Sequence, residues 1–394
     1  MTQRPYLDYY TSAAIVPVHQ DLSDFPAHVR RRKALYRLLG LSPLTFRGSR
    51  ILEIGPGTGD NALATFTFDP SSYLLLDGNP SSLLEVRQKI ASGALDPARC
   101  EVVEGDYLAL PADSVVLSRQ FDIVLAEGCV PFQLDPVAAL QSVARLVTEQ
   151  DGILVVTTTD EVSMLSEICR RYMKPAITQQ VGDDPGRALD LSCTVFASHY
   201  SNLPAASRPV SDWVLDNILH PWSRHWALSM SSAIDALPDF DYLGSTPDYT
   251  TDWRWYKSFA DPREGWSGVA SQRWENVLEF TLDWRSTPPA DGSERDPIGA
   301  ELVRLCREFG HLVDNAWSAD SYANAEEVGA KIGEIHGLIK GRSGLDQAAR
   351  ALGEFRASLP TLADGDLSFP YESFPAWWGR GMQYLSLSRA SSTA

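Results

Sequence analysis

Between Arg50 and Asp160 short apolar runs alternate with amphipathic stretches. The runs are 50–54, 73–77, 100–103, 121–126 and 152–157, rich in Leu, Ile and Val, and each gives way to a glycine or a polar residue. Runs of this length without polar alternation predict strands covered on both faces. Helix candidates fall between them at 61–66, 80–92, 112–119 and 135–149, the third poorly defined and the last apolar at Val137, Leu140, Val143, Ala144 and Val147. Five strand–helix alternations over 48–160 predict a parallel, doubly wound α/β sheet. Right-handed crossovers carry the strand C-termini to one edge.

Outside this core the pattern changes. Ser23-Asp24-Phe25-Pro26 has helix-start chemistry, a capping side chain followed by a first-turn proline. The helix it opens runs to about Gly40, with Phe25, Val29, Leu35, Leu38 and Leu39 expected inward and His28, Arg30, Arg31, Arg32, Lys33 and Arg37 largely outward. The alternative has His28 and Arg31 facing a cofactor or gripping an acidic substrate. Residues 161–237 are longer than one crossover helix requires, and eight of the eleven tryptophans lie between Trp213 and Trp284. Segments 240–244 and 276–284 read as two closing strands. The breaker run 286–295 is a linker. Beyond it, 296–360 carries three apolar helical stripes, which must be buried against the core or against a second copy as a homodimer. The aromatic tail, 361–394, is expected to be ordered and docked, with Arg380 between two glycines as a residue of interest.

Charge narrows the partners. Lys and Arg total 34 and Asp and Glu 51, a formal net charge of −17. Such a surface repels phosphate backbones, so nucleic acid is not an expected partner. The five cysteines, Cys100, Cys129, Cys169, Cys193 and Cys306, form no CxxC pair and no metal-ligand spacing. That fits a reducing, cytoplasmic setting and no metal. The N-terminus lacks an apolar leader core, and no apolar run is long enough for a membrane span, so neither secretion nor membrane insertion is expected.

The most informative stretch is Glu53-Ile54-Gly55-Pro56-Gly57-Thr58-Gly59, where the first strand breaks into a turn of three alternate glycines. Glycines allow a sharp turn and let a ligand approach the peptide groups. The G-x-G-x-G spacing departs from the dinucleotide G-x-G-x-x-G, and a glutamate beside it would repel a pyrophosphate while suiting a cationic ligand. Asp77 at the end of the second strand can accept two hydroxyl hydrogen bonds. Asp106-Tyr107 ends the third strand and Glu127 the fourth.

This set resembles class I S-adenosylmethionine (SAM)-dependent methyltransferases over about 25–160 and, weakly, 238–285. The resemblance implies a seven-stranded Rossmann-like sheet, an aromatic-rich cap insertion at 161–237 over the acceptor, a helical extension at 296–360 and SAM as cofactor. It implies that Glu53, Gly55, Gly57 and Gly59 hold the amino-acid part of SAM, that Asp77 and Gly78 hold the ribose, and that Asp106 and Tyr107 hold the adenine. Glu127 would serve the methionyl group or the acceptor. Candidate bases are Glu127, His199, His220 and His225.

More loosely, the chain is similar to bacterial methyltransferases of glycan and natural-product biosynthesis, which implies a small-molecule hydroxyl or amine as acceptor. The segment after strand four, Glu127-Gly128-Cys129-Val130-Pro131-Phe132, lacks the Asn-Pro-Pro-Tyr-type signature of adenine and glutamine N-methylation. Two alternatives share the fold: an aminopropyltransferase, and a SAM-binding structural or regulatory protein without turnover.

Overall fold

The computed structural model describes residues 4–13, 15–16, 18–203, 206–221, 228–250, 255, 257, 266–288 and 296–390. Two compact units emerge: 1–158 with 227–274 and 382–394, and 159–226 with 275–381.

The first unit is built on seven strands: β1 Arg50–Ile54, β2 Ser72–Asp77, β3 Cys100–Glu104, β4 Ile123–Ala126, β5 Ile153–Thr158, β6 Phe240–Thr246 and β7 Gln383–Arg389. Their order is β3-β2-β1-β4-β5-β7-β6. The first five pair in parallel and β7 runs antiparallel to both β5 and β6. Strand order reverses between β1 and β4, and ligands bind an α/β sheet at the strand C-termini of such a switch point. The core stacks Ile51, Leu75, Ile123 and Val155 against Tyr36, Phe46, Phe68 and Val86 from the flanking elements.

The fold class expected from the pattern is present, but one strand is supplied by a different segment. Residues 276–284 are not a strand: the helix Trp266–Val277 runs into a 3-10 turn, Leu278–Leu282. The alternation of apolar residues there fits an edge strand, yet all five turn residues are buried. The Leu282 carbonyl accepts the Trp377 indole N–H at 2.7 Å, and the Thr281 carbonyl accepts the Arg380 N–H at 2.9 Å. The sheet position falls instead to β7, whose Leu385 and Leu387 are fully buried. The tail therefore continues past its aromatic run into the central sheet.

The N-terminal helix, Phe25–Leu38, begins where its cap predicts, with Asp24 Oδ1 accepting from Ala27 N at 2.9 Å. Its inward face is otherwise than the apolar count suggests. His28, Arg32 and Tyr36 are buried, while Leu38 is half exposed and Arg31 exposed. Positions i, i+4 and i+8 share one face of a helix, so this polar stripe is a single inward surface.

In the second unit the three predicted helices form at Gly299–Ala319, Ala325–Ile339 and Asp346–Ala363. Pro360 does not close the third, which runs on to Ala363. Arg170 organises the tail: its guanidinium lies 3.8 Å from the Trp378 ring centroid and donates to the Phe374, Pro375 and Trp377 carbonyls. Among the described residues no helix is long and apolar enough to cross a membrane.

Candidate functional site

β1 delivers Ile54 into a loop whose glycines all take left-handed φ: +69° at Gly55, +55° at Gly57 and +77° at Gly59. Side chains rarely tolerate that region, so the three glycines are required by the turn. The helix Asp60–Phe66 follows directly. Gly55 N–H donates to the Leu76 carbonyl at 2.8 Å, and Gly57 N–H to Asp77 Oδ2 at 3.1 Å. Asn79 N–H takes Asp77 Oδ1 at 2.8 Å. Asp77 thus joins the loop to the end of β2, and with the Gly78 N–H also acting on it the carboxylate keeps acceptor capacity for a further donor. Burial pushes its carboxyl up to about 6 against those N–H bonds.

At the next strand end Asp106 Oδ1 accepts from Leu108 N at 2.9 Å, and its other oxygen is 3.8 Å from Arg4. The Tyr107 hydroxyl is buried without a hydrogen-bond partner, and burial raises its pKa. Cys129 backs the loop, its thiol 3.5 Å from the Ile54 carbonyl.

A polar cluster underlies the loop. Arg32 binds Glu127 through two parallel bonds, Nη1 to Oε2 at 2.8 Å and Nη2 to Oε1 at 2.6 Å. The same Nη2 is 2.6 Å from the Tyr36 hydroxyl, which is 3.2 Å from Thr65 Oγ1. Glu53 accepts from the Tyr73 hydroxyl. Burial lifts the Glu53 carboxyl to about 7; the Tyr73 bond opposes this and the Glu127 charge adds to it. His28 is 2% exposed, and neither ring nitrogen makes a hydrogen bond of ordinary geometry, although Asp60 is close enough to act on its charge.

The N-terminal segment lies along this surface. Tyr6 stacks on Phe132 at 5.1 Å, and a Cβ at Gly78 or Gly57 would overlap Leu7 or Val18 respectively. Asn79 Nδ2 donates to the Ile15 carbonyl, and Gln20 N–H to Asp60 Oδ2. Asp60 also pairs with Lys89 at 3.1 Å.

The sites expected from sequence divide accordingly. Glu53, Gly55, Gly57, Gly59, Asp77, Gly78, Asp106, Tyr107 and Glu127 all lie at or just below one edge of the first unit's sheet, around β1 to β4. His199 and His220 belong to the second unit. His199 is buried, its Nδ1 accepts from Arg170 Nε at 3.2 Å, and burial, then the Arg170 charge, drives its pKa down to about 2. An imidazole held this way keeps the Arg170 cluster together and is a poor base at neutral pH. His220 is fully buried and its carbonyl accepts from Arg171. His225 lies outside the described residues. The Arg32–Glu127 pair and the buried His28 were not anticipated, though the four-residue spacing of His28, Arg32 and Tyr36 was there to be read.

The glycine cradle, the acid at the end of β2 and the unpartnered Tyr107 hydroxyl fit a nucleoside with an attached amino acid. Residues 45–192 match the model of a family described as a methyltransferase domain. Among curated proteins none matches the chain.

Three solved structures illustrate the range of likeness. The N-methyltransferase NodS from Bradyrhizobium japonicum WM9, in complex with S-adenosyl-L-homocysteine (SAH), is 17% identical over 39% of this chain and 74% of its own, with a TM-score of 0.30. The [4+2]-cyclase SpnF is 13% identical over 98% of this chain and 93% of its own, at 0.38. The N-terminal domain of EvdMO1 with SAH bound is 26% identical over 34% of this chain and 49% of its own, at 0.27. At these scores the likeness adds nothing to what the family model and the sheet order show.

Proposed function

We propose, from the premise that residues 45–192 are a class I SAM-dependent methyltransferase domain with SAM as its cofactor, that this protein methylates a hydroxyl or amine of a small molecule. The observation that supports the reading best is the hydrogen bond from Gly57 N–H to Asp77, which unites a left-handed glycine loop after β1 with the carboxylate that ends the neighbouring strand β2. The turn of Gly55, Gly57 and Gly59 presents its peptide groups to the methionyl part, Asp77 accepts from the ribose hydroxyls, and Asp106 with Tyr107 borders the adenine. When bound, the cofactor supplies a methyl group already activated by a sulfonium. The chain's own work is then to align the acceptor and exclude water.

Glu127 has a positioning role in this reading. Both of its oxygens are taken by Arg32, so it fixes the helix Phe25–Leu38 to the end of β4 instead of removing a proton. The same observation favours a second reading, a SAM-binding protein without turnover.

Calorimetric titration with SAM and SAH, followed by an SAH-release assay over amine and hydroxyl acceptors, separates the possibilities. Binding with turnover supports the proposal, and binding without turnover on any acceptor supports the second reading. Preference for decarboxylated SAM identifies an aminopropyltransferase. No binding by the folded protein refutes all three.

A further inference from the structure

We infer that the His28 imidazole holds the carboxylate of the cofactor's methionyl group, an assignment that rests on the SAM site proposed above. Buried polar groups in folded proteins nearly always have partners, and one without a partner calls for an explanation such as an absent ligand. His28 is 2% exposed and neither ring nitrogen has a partner at hydrogen-bond geometry, although the Asp60 backbone lies near enough to favour its charged form. It adjoins Asp60, the residue that follows Gly59 of the glycine loop.

Its neighbours are mostly engaged. Gln20 N–H and Lys89 take the Asp60 carboxylate, and Glu127 with Tyr36 takes both Nη groups of Arg32, leaving its buried Nε as a second donor without a partner. Burial first, then the charges of Arg32 and Arg31, lower the His28 pKa, so the ring is neutral and offers one N–H donor. Of the ligand's polar groups, ribose and adenine face the acids after β2 and β3, and an ammonium suits a carboxylate. The methionyl carboxylate, an acceptor that the two arginines also favour, is the group left for an imidazole donor.

The test compares three ligands by calorimetry on the full chain: SAH, decarboxylated SAM, which keeps the amine but not the carboxylate, and 5′-methylthioadenosine, which lacks both. His28→Leu should weaken SAH by about tenfold or more, the scale of one hydrogen bond to a charged group. The other two ligands should stay within about twofold. His28→Gln, which restores a donor, should recover part of the loss and serves also if the leucine variant does not fold. In the wild-type chain the His28 ring resonances should move on adding SAH and not on adding 5′-methylthioadenosine. Unchanged SAH affinity in a folded His28→Leu variant, or equal weakening of all three ligands, overturns the assignment. Failure of the wild-type protein to bind any of them overturns the SAM site instead.

Discussion

Replacing Arg32 with Met should destabilise the first unit far more than removing an ordinary surface charge. Its side chain and that of Glu127 are 7% and 9% exposed, so solvent does little to screen the pair. Met keeps the length and removes three short hydrogen bonds, two to Glu127 and one to Tyr36. A carboxylate then remains buried within interaction range of Glu53, with no cation to offset it. Breaking a buried pair by removing one partner costs about 3–5 kcal/mol, whereas replacing both partners with apolar residues is often neutral. Arg32→Met should therefore lose about 3 kcal/mol or more, and Arg32→Met combined with Glu127→Leu should recover most of it. Hydrogen exchange at the β1 and β4 amides reports opening of this unit alone, which suits a chain with a second unit. A loss below about 1 kcal/mol in the single variant, or a double variant worse than the single, would refute the reading of Arg32 and Glu127 as a buried, mutually dependent pair.

Glu53 should make stability depend on pH in an uncommon direction. Its folded pKa, about 7, lies above its ordinary value of 4.5, so the folded state binds more protons and stability falls as pH rises between those values. The whole effect is at most about 3 kcal/mol, and Glu53→Gln should flatten that part of a denaturation-versus-pH curve; an unchanged slope would count against it. Asp77→Asn should weaken SAM and SAH by about 1–3 kcal/mol in titration calorimetry while the circular dichroism stays native. Deleting residues 1–20 removes Leu7 and Val18 from Gly78 and Gly57 and should speed SAH release in stopped-flow measurements, and an unaltered off-rate would show that the segment does not confine the ligand.

The sheet was legible because buried parallel strands leave continuous Leu, Ile and Val runs, as at 74–76 and 154–156. The loop was legible because three left-handed residues in five demand glycine. The seventh strand was not. In 276–284 and in 383–389 apolar and polar residues alternate about equally well, and the choice between them was made by contacts far along the chain: Trp377 and Arg380 take the carbonyls that a strand at 278–282 would need. The spacing of His28, Arg32 and Tyr36 marks one face of the N-terminal helix, but that this face turns inward was hidden for a related reason. Counting apolar residues points to Leu38, but Arg32 turns inward because Glu127, 95 positions away, offers it both oxygens. A charge pattern along one helix carries no information about a partner on a distant strand.

The same cluster bears on which ligand the loop suits. Beneath Gly55 to Gly59 lie Glu53 and Glu127, and Arg32 is bound to only one of them. Glu53 holds its proton well above the ordinary carboxylate range, up to about 7, since burial and the Glu127 charge raise it and the Tyr73 hydroxyl only partly opposes them. A pyrophosphate above this cluster would drive Glu53 further toward its neutral form and lose affinity to the repulsion. A cation reverses the sign: it lets Glu53 ionise and gains the attraction of a weakly screened carboxylate. SAM has a sulfonium and an ammonium, and SAH only the ammonium. The release of a proton from Glu53 should therefore be larger on binding SAM than on binding SAH. Calorimetry in two buffers of different ionisation enthalpy measures that difference directly. Equal proton release for the two ligands would mean that the cluster does not sense the sulfonium, and the acid before the glycine loop would then be a structural partner of Tyr73 alone.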